Sequence, residues 1–283
     1  MYLHHIVILA IIQGITEFLP ISSTGHLILT HGLFGVGDAA DDRLFDIALH
    51  IGTLIAVLVC FRHDVYSMVR GFFSLLATRK LNSESRLLSC ILVASVPVII
   101  VGLALHSTSS YWLFSPIIVA IANLIFAIPL WWADKVKPSE KIVEEMSFKD
   151  AFIIGCVQIM ALIPGVSRSG ITMTAGRWLT YERVQTARFS LLLSIIANSG
   201  AGFLGAVDLI GENKFYMSSE LLWGVLISCV TAWVTIVFMM RFLSKFSFAA
   251  FASYRIVLGI VLLALIAAGY IQPWVELPPF IAQ

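Results

Sequence analysis

Six apolar runs decide what this chain can fold into. Phe45 to Phe61, Leu87 to Leu105, Pro116 to Trp132, Ala187 to Val207, Leu221 to Met240 and Ile256 to Tyr270 each come near the roughly 20 apolar residues that carry a helix across a bilayer. The last must start somewhat before Ile256 to be long enough. The chain is 59% hydrophobic and 12% charged, where a soluble domain carries about 25% charged residues, and its mean hydropathy is +0.94. An all-α integral membrane protein with six transmembrane helices is expected. A formal net charge of +1 argues against nucleic acid as a partner, since that needs a concentrated basic face. Cys60, Cys90, Cys156 and Cys229 stand singly in apolar segments, so neither a disulfide framework nor a zinc site is indicated, and all four are expected to be small buried hydrophobes. No Lys or Arg precedes Arg43, so the apolar N-terminus lacks the basic leader of a signal peptide and is expected to stay in the mature fold.

Basic residues orient the spans, because cytoplasmic loops are enriched in Lys and Arg. Arg62 to Arg86, Asp134 to Lys149, Arg177 to Arg188 and Arg241 to Arg255 are rich in them, whereas His106 to Ser115 and Gln272 to Gln283 have none. The rich segments are therefore assigned inside. Within the first, Val65 to Ala77 is too short and too basic at its edges to cross, and reads as an interfacial helix. Lys149 and Arg177 then lie on one side, although the apolar stretch Ala151 to Ile163 separates them. The chain must enter and return, as a re-entrant helix, loop, helix with Pro164 to Gly170 near its tip, which irregular backbone tolerates only inside protein or a wet cavity. Phe45 to Phe61 must run inward from an outer loop at Gly32 to Leu44. With Met1 also outside, Ile6 to Leu29 becomes a second hairpin entering from the opposite face.

Aligning Pro20 with Pro164 places Ile21 to Ser23 over Gly165 to Ser167, Gln13 over roughly Gln158 and Phe45 over Phe189, and the long spans follow in matching order. The expected fold is one membrane domain, residues 1–283, built as an inverted-topology repeat. Residues 1–133 hold a re-entrant hairpin and three spans, and residues 150–272 repeat them upside down. Such folds bring interrupted helices together near the midplane, with helix N-termini available to anions.

The polar groups concentrate at the two hairpin tips, QGITEFLPISSTGH (Gln13 to His26) and PGVSRSGIT (Pro164 to Thr172). An ionisable group at membrane depth is by default a functional hypothesis. Arg168 offers a fork of donors that matches a phosphate, with hydroxyls at Ser167, Ser169 and Thr172 beside it. Gly165 and Gly170 let backbone amides approach, and a helix opening near Ser169 would aim its positive end there. Gln13 and Glu17 share a helical face and could hold part of the shell of Mg2+ or Ca2+. Ser22, Ser23 and Thr24 are candidate nucleophiles, and His26 can exchange a proton near neutral pH. The bland alternative is a kinked, small-residue packing with a structural Glu17–Arg168 ion pair. Set against it, a structural pair needs no cluster of hydroxyls and imidazole around it. Trp131, Trp132, Tyr111, Trp112 and Trp274 read as interfacial belt residues, and His50 with Asp46 as outer support of the site.

These motifs, with FDIALHIGTLIAV at Phe45 to Val57, resemble those of the bacitracin-resistance family of undecaprenyl-diphosphate phosphatases, over essentially the whole length. The resemblance implies hydrolysis of a C55 isoprenoid diphosphate to its monophosphate and phosphate, recycling the carrier lipid of peptidoglycan synthesis. It implies functional roles for Glu17 with Gln13, Ser23, His26, Ser167, Arg168 and Thr172. It also implies dependence on a divalent cation, Mg2+ or Ca2+, and a site in the bacterial inner membrane opening to the outer, periplasmic face. Gln13 stands where other members carry Glu, which makes it an auxiliary metal ligand at most. The expected catalytic set is Glu17, Ser23, His26 and Arg168, with Ser22, Ser167, Ser169 and Thr172 binding substrate and Glu17 and Gln13 facing a metal. The expected partners are the lipid diphosphate and the bilayer, with no nucleic acid and with room for a homodimer. A transporter or flippase of an anionic polyisoprenoid lipid is the alternative from another class, since inverted repeats also build transporters.

Overall fold

The computed structural model describes residues 3–34, 39–106, 115–136, 138–211 and 218–273. Among these residues it is helical throughout, without strands: α1 (Leu3–Thr16), α2 (Ser23–Phe34), α3 (Ala39–Cys60), α4 (Arg62–Thr78), α5 (Ser83–His106), α6 (Pro116–Val136), α7 (Phe148–Gln158), α8 (Arg168–Trp178), α9 (Arg183–Gly211), α10 (Ser219–Leu243) and α11 (Ala249–Ala267). Single 3-10 turns lie at Val143–Glu145 and Ile159–Leu162. Five helices, α5, α6, α9, α10 and α11, are each long and apolar enough to cross a membrane, and there are six if α3 and α4 are taken together as one bent span. That pair bends by 83° at Phe61, so α4 leaves the direction of α3 as an interfacial helix would. The outer loop expected at Gly32 to Leu44 is shorter, because α2 runs to Phe34 and α3 already starts at Ala39.

Local chemistry starts and stops the helices where it should. Ser147 caps α7 by accepting from Asp150 N, and Ser218 caps α10 by accepting from Leu221 N. Asn82 and Ser85 exchange reciprocal side-chain bonds with each other's backbone N–H at the start of α5. Each satisfies amides that a helix N-terminus leaves free. Small residues then set how closely the helices cross. A Cβ on Gly14 would lie 2.6 Å from Thr231 Cβ, and one on Gly155 would lie 2.5 Å from the Ala94 carbonyl oxygen. Only glycine lets α1 lie on α10 and α7 on α5, which is how helices associate where lipid supplies no hydrophobic drive.

The four basic segments converge on one end of the bundle. Asp134, its side chain 3% exposed, accepts from Arg177 Nε at 2.9 Å and Arg183 Nε at 2.7 Å, and from the Phe248 amide at 2.9 Å. Arg188 pairs with Asp64 and with Glu144 at 2.6 Å. Tyr181 donates to Asp150 at 2.8 Å; burial first, then that carboxylate, pushes the phenol pKa up, so it stays a donor. Because Lys141 also pairs with Asp150 at 3.2 Å, both outer ends of the α7–α8 hairpin are tied to this end. At the opposite end Ser115 Oγ donates to the Pro273 carbonyl at 2.5 Å. Trp131 and Trp132 are exposed near the basic end, with Lys135 Nζ 4.7 Å over the Trp131 ring. Tyr111, Trp112 and Trp274 lie outside the described residues.

Two sequence expectations need correction. Only Cys90 is buried and Cys156 is exposed, because an apolar side chain on this protein's perimeter loses nothing by facing lipid. Arg255, counted among the loop charges, sits well inside α11 and is fully buried. The helix begins at Ala249, so the span absorbs a charge that hydropathy had left outside it.

Candidate active site

Both hairpins are shorter than a span and are broken at the tip by the same device. After Pro20 the chain turns through Ser22 at φ 70°, and after Pro164 through Gly165 at φ 92° and Ser167 at φ 68°. Left-handed backbone at a residue other than glycine is costly and is held only by surrounding structure. Each of these serines then caps a helix: Ser22 Oγ accepts from Gly25 N at 3.4 Å and Ser167 Oγ from Gly170 N at 3.2 Å. The tips therefore superpose Ser22 on Ser167, one residue away from the register that aligning the prolines suggests. Ser23, opening α2, is the counterpart of Arg168, opening α8.

The tips meet at Glu17. Its Oε1 accepts from Arg168 Nη2 at 2.9 Å and Asn198 Nδ2 at 3.0 Å. Its Oε2 accepts from Gln13 Nε2 at 3.0 Å and Ser23 Oγ at 3.2 Å, with His50 Nε2 at 3.6 Å. The side chains of Glu17 and Arg168 are 6% and 16% exposed, so this is an interior ion pair. Breaking such a pair strands a charge at a cost of about 3–5 kcal/mol. Arg168 Nη1 is buried without a hydrogen-bond partner, and is thus a donor in reserve.

The remaining candidates divide by what their hydroxyls already do. Ser169 Oγ donates to the Leu19 carbonyl at 3.0 Å, tying one tip to the other. Thr172 Oγ1 donates to the Arg168 carbonyl at 2.8 Å and lies 2.7 Å from Ser190 Oγ, on the buried side of α8 toward α9. Both hydroxyls are thus spent on holding the α8 tip in place. Ser22 is buried and committed to its cap, which leaves Ser23, half-buried, as the hydroxyl joined to the carboxylate. His26 hydrogen-bonds neither Ser23 nor Glu17. Its Nδ1 lies 2.7 Å from the Ser22 carbonyl and its Nε2 2.7 Å from the Tyr254 hydroxyl, with the two rings parallel at 5.6 Å. A carbonyl can only accept, so Nδ1 carries the proton and Nε2 accepts from Tyr254. His50, held by the Asp46 carbonyl at 2.8 Å, does support Glu17, through the backbone of Asp46 rather than its carboxylate. Asn198, Tyr254 and Arg255 were not singled out by sequence. A lone amide inside an apolar span was the available signal for Asn198.

The groups around Glu17 also answer whether a divalent cation fits. Glu17 Oε2, Ser23 Oγ and Gln13 Oε1 are oxygen donors of the kind Mg2+ and Ca2+ prefer, and Gln13 Oε1 is buried without a partner. Against a resident ion, no group of three or more His, Cys, Asp or Glu is gathered among the described residues, and Arg168 already neutralises the one carboxylate. The set fits a cation that arrives with phosphate oxygens of its own, as Mg2+ commonly does.

A buried carboxylate, an attached serine and an arginine with a spare donor, all inside a bundle of apolar helices, are a candidate site of the kind an anionic phosphoryl group would need. The bacitracin resistance protein BacA family model matches residues 6–261, and the chain belongs to that family. It is 41% identical over 265 residues to an undecaprenyl-diphosphatase of Campylobacter concisus, covering 94% of this chain and 99% of that one. It is 42% identical over 267 residues to one of Maricaulis maris (93% and 98%) and 41% identical over 268 residues to undecaprenyl-diphosphatase 2 of Stutzerimonas stutzeri (94% and 98%).

Proposed function

We propose that this protein hydrolyses undecaprenyl diphosphate to undecaprenyl phosphate and inorganic phosphate, the activity for which its relatives are named, and thereby recycles the lipid carrier of cell-wall synthesis. Resistance to bacitracin is what the family name implies. The observation that carries the reading is the Ser23–Glu17–Arg168 chain of hydrogen bonds: a hydroxyl, a carboxylate and a guanidinium joined in one buried site, which supports phosphoryl transfer.

Phosphoryl transfer asks mainly for positioning and for cations and donors aimed at the spreading charge. Arg168 Nη1 and the first turn of α8 take the terminal phosphate. Glu17 accepts the Ser23 proton as Oγ attacks phosphorus, and the bond to the bridging oxygen breaks, releasing undecaprenyl phosphate. Water then cleaves the phosphoserine and returns the proton, so one water is consumed and one phosphate released. Asn198, Gln13 and His50 hold the carboxylate in place, and the Ser22 carbonyl and Tyr254 hold His26. A divalent cation carried in with the diphosphate, next to Glu17 and Gln13, would supply further charge neutralisation.

Placement in the membrane follows from the charges. On that reading the basic end faces the cytoplasm and α1–α2 and α7–α8 are re-entrant from opposite faces; a site opening outward in the inner membrane is what the family resemblance implies. The inverted repeat is supported by the exchange of partners between halves: α1 packs on α10 as α7 packs on α5, while α6 pairs with α11 across the middle. Each group named at Glu17 comes from one chain, so a homodimer would not be needed for chemistry. Purified protein in detergent tests the reading: phosphate release from undecaprenyl diphosphate needs no sealed compartment. Transport without release would overturn it in favour of a flippase.

A further inference from the structure

α11 holds a cation that the site described above does not use. Arg255 is 0% exposed. Its Nη2 donates to the Gly165 carbonyl at 3.0 Å and reaches the Ala122 carbonyl at 3.5 Å, while Nε and Nη1 are buried without partners. Among the described residues no carboxylate pairs with it. A buried guanidinium without a counter-charge is expensive to keep. Its position shows what it is kept for. A Cβ on Gly170 would lie 2.8 Å from Arg255 Nη1 and 3.2 Å from Ser167 Oγ, so the guanidinium rests against the first turn of α8, directly behind the residue that opens it, Arg168.

The other hairpin supplies the comparison. A Cβ on Gly25, in the first turn of α2, would lie 3.2 Å from Asn123 Nδ2 on α6. The two tips share a serine cap in the left-handed region and a close-packed glycine in the helix that follows. One is backed by a neutral amide and the other by a full positive charge. Shape alone would be served by an amide in both places. Because Glu17 already offsets Arg168, Arg255 is the charge left in excess at the α8 tip.

We infer that Arg255 is a positioning residue of the diphosphate site. It fixes the turn before α8 through the Gly165 carbonyl and, from behind the helix, supplies the uncompensated positive charge that holds the terminal phosphate. It does not touch the substrate, since Gly170 stands between. The asymmetry gives the tips separate tasks: α8 binds the phosphate and α2 presents Ser23. This inference rests on the phosphatase reading.

The test uses the full-length protein in detergent, with inorganic pyrophosphate as the anion probe followed by thermal shift, and phosphate release from a short-chain isoprenoid diphosphate measured in parallel. Arg255→Gln keeps a donor for the Gly165 carbonyl and loses the charge. It should lose pyrophosphate affinity by about tenfold or more and raise KM to match, with kcat within about threefold; Arg255→Lys should recover affinity to within about threefold of the parent. Unchanged pyrophosphate affinity in Arg255→Gln would overturn the inference, as would a folded Arg255→Lys impaired by about tenfold or more. Should Arg255→Gln fail to insert, Arg255→Lys decides alone by the same limits. A parent protein that binds pyrophosphate but releases no phosphate from the lipid would sink the phosphatase reading and leave the Arg255 comparison standing.

Discussion

Glu17 and Arg168, 151 positions apart in the chain, meet at 2.9 Å inside the bundle. Each opens or closes a hairpin tip, so the contact is at once the joint between the two tips and the centre of the candidate site. Arg168 uses one nitrogen on Glu17 and keeps another free, which a single ammonium could not do. Arg168→Lys should therefore insert and fold yet lose about 10²-fold or more in kcat/KM, the scale for removing one transition-state donor. Near-parental turnover in a folded Arg168→Lys would mean that only net charge is needed there.

A second prediction separates scaffold from site. Asp134 satisfies two arginines and the Phe248 amide at once, all at the basic end, and none of these groups hydrogen-bonds Glu17 itself. Asp134→Ala strands these donors, and should lower stability by about 3–5 kcal/mol. The fraction that remains folded should keep its KM. Thermal unfolding in detergent beside steady-state kinetics checks this; a changed KM with unchanged stability would place Asp134 in the substrate path.

Topology is open to labelling. Glu140 and Glu182 lie in the two segments that flank the α7–α8 hairpin, bridged by the Glu140 amide on the Thr180 carbonyl and the Glu182 amide on the Lys141 carbonyl. In a background lacking native cysteines, Glu140→Cys and Glu182→Cys should both react only from the cytoplasmic side. Reaction of one from each side would remove the re-entrant hairpin.

The order of helices was legible because apolar length is a strong and local signal: the six runs reappear as α3, α5, α6, α9, α10 and α11. Glu17, Ser23 and Arg168 were legible for the opposite reason, being polar groups clustered where hydrocarbon was expected. Asn198, Tyr254 and Arg255 were not, because each is one polar residue on an otherwise apolar helix and acquires meaning only when folding brings it to Glu17, His26 or Gly170. Arg255 was further disguised by its neighbours, since a charge at the edge of a basic segment reads as a loop residue until the start of the helix is known. His26 shows the converse. Sequence places it beside the serines, yet on α2 its ring faces Tyr254, and Ser23 donates to Glu17 instead.

That assignment leads to the last prediction, which concerns the group that attacks phosphorus. Of the adjacent serines, Ser22 has its hydroxyl on the Gly25 amide and its backbone in the left-handed region, while Ser23 donates to Glu17 at 3.2 Å. A hydroxyl already bonded to a carboxylate needs only to pass its proton along that bond as attack proceeds. Ser23→Ala should thus abolish nearly all turnover, whereas Ser22→Ala should act on the turn and cost stability more than rate. Rapid quench with substrate labelled in the terminal phosphate, followed by peptide mapping, should find label on Ser23 that forms and decays at the turnover rate. Tyr254→Phe should leave that label forming, since it disturbs His26 and not the Ser23–Glu17 bond. If a single turnover passes with no protein-bound label and Ser23→Ala keeps a substantial fraction of the rate, the covalent route is wrong. Glu17 must then be activating a water, with Ser23 serving only to hold the phosphate.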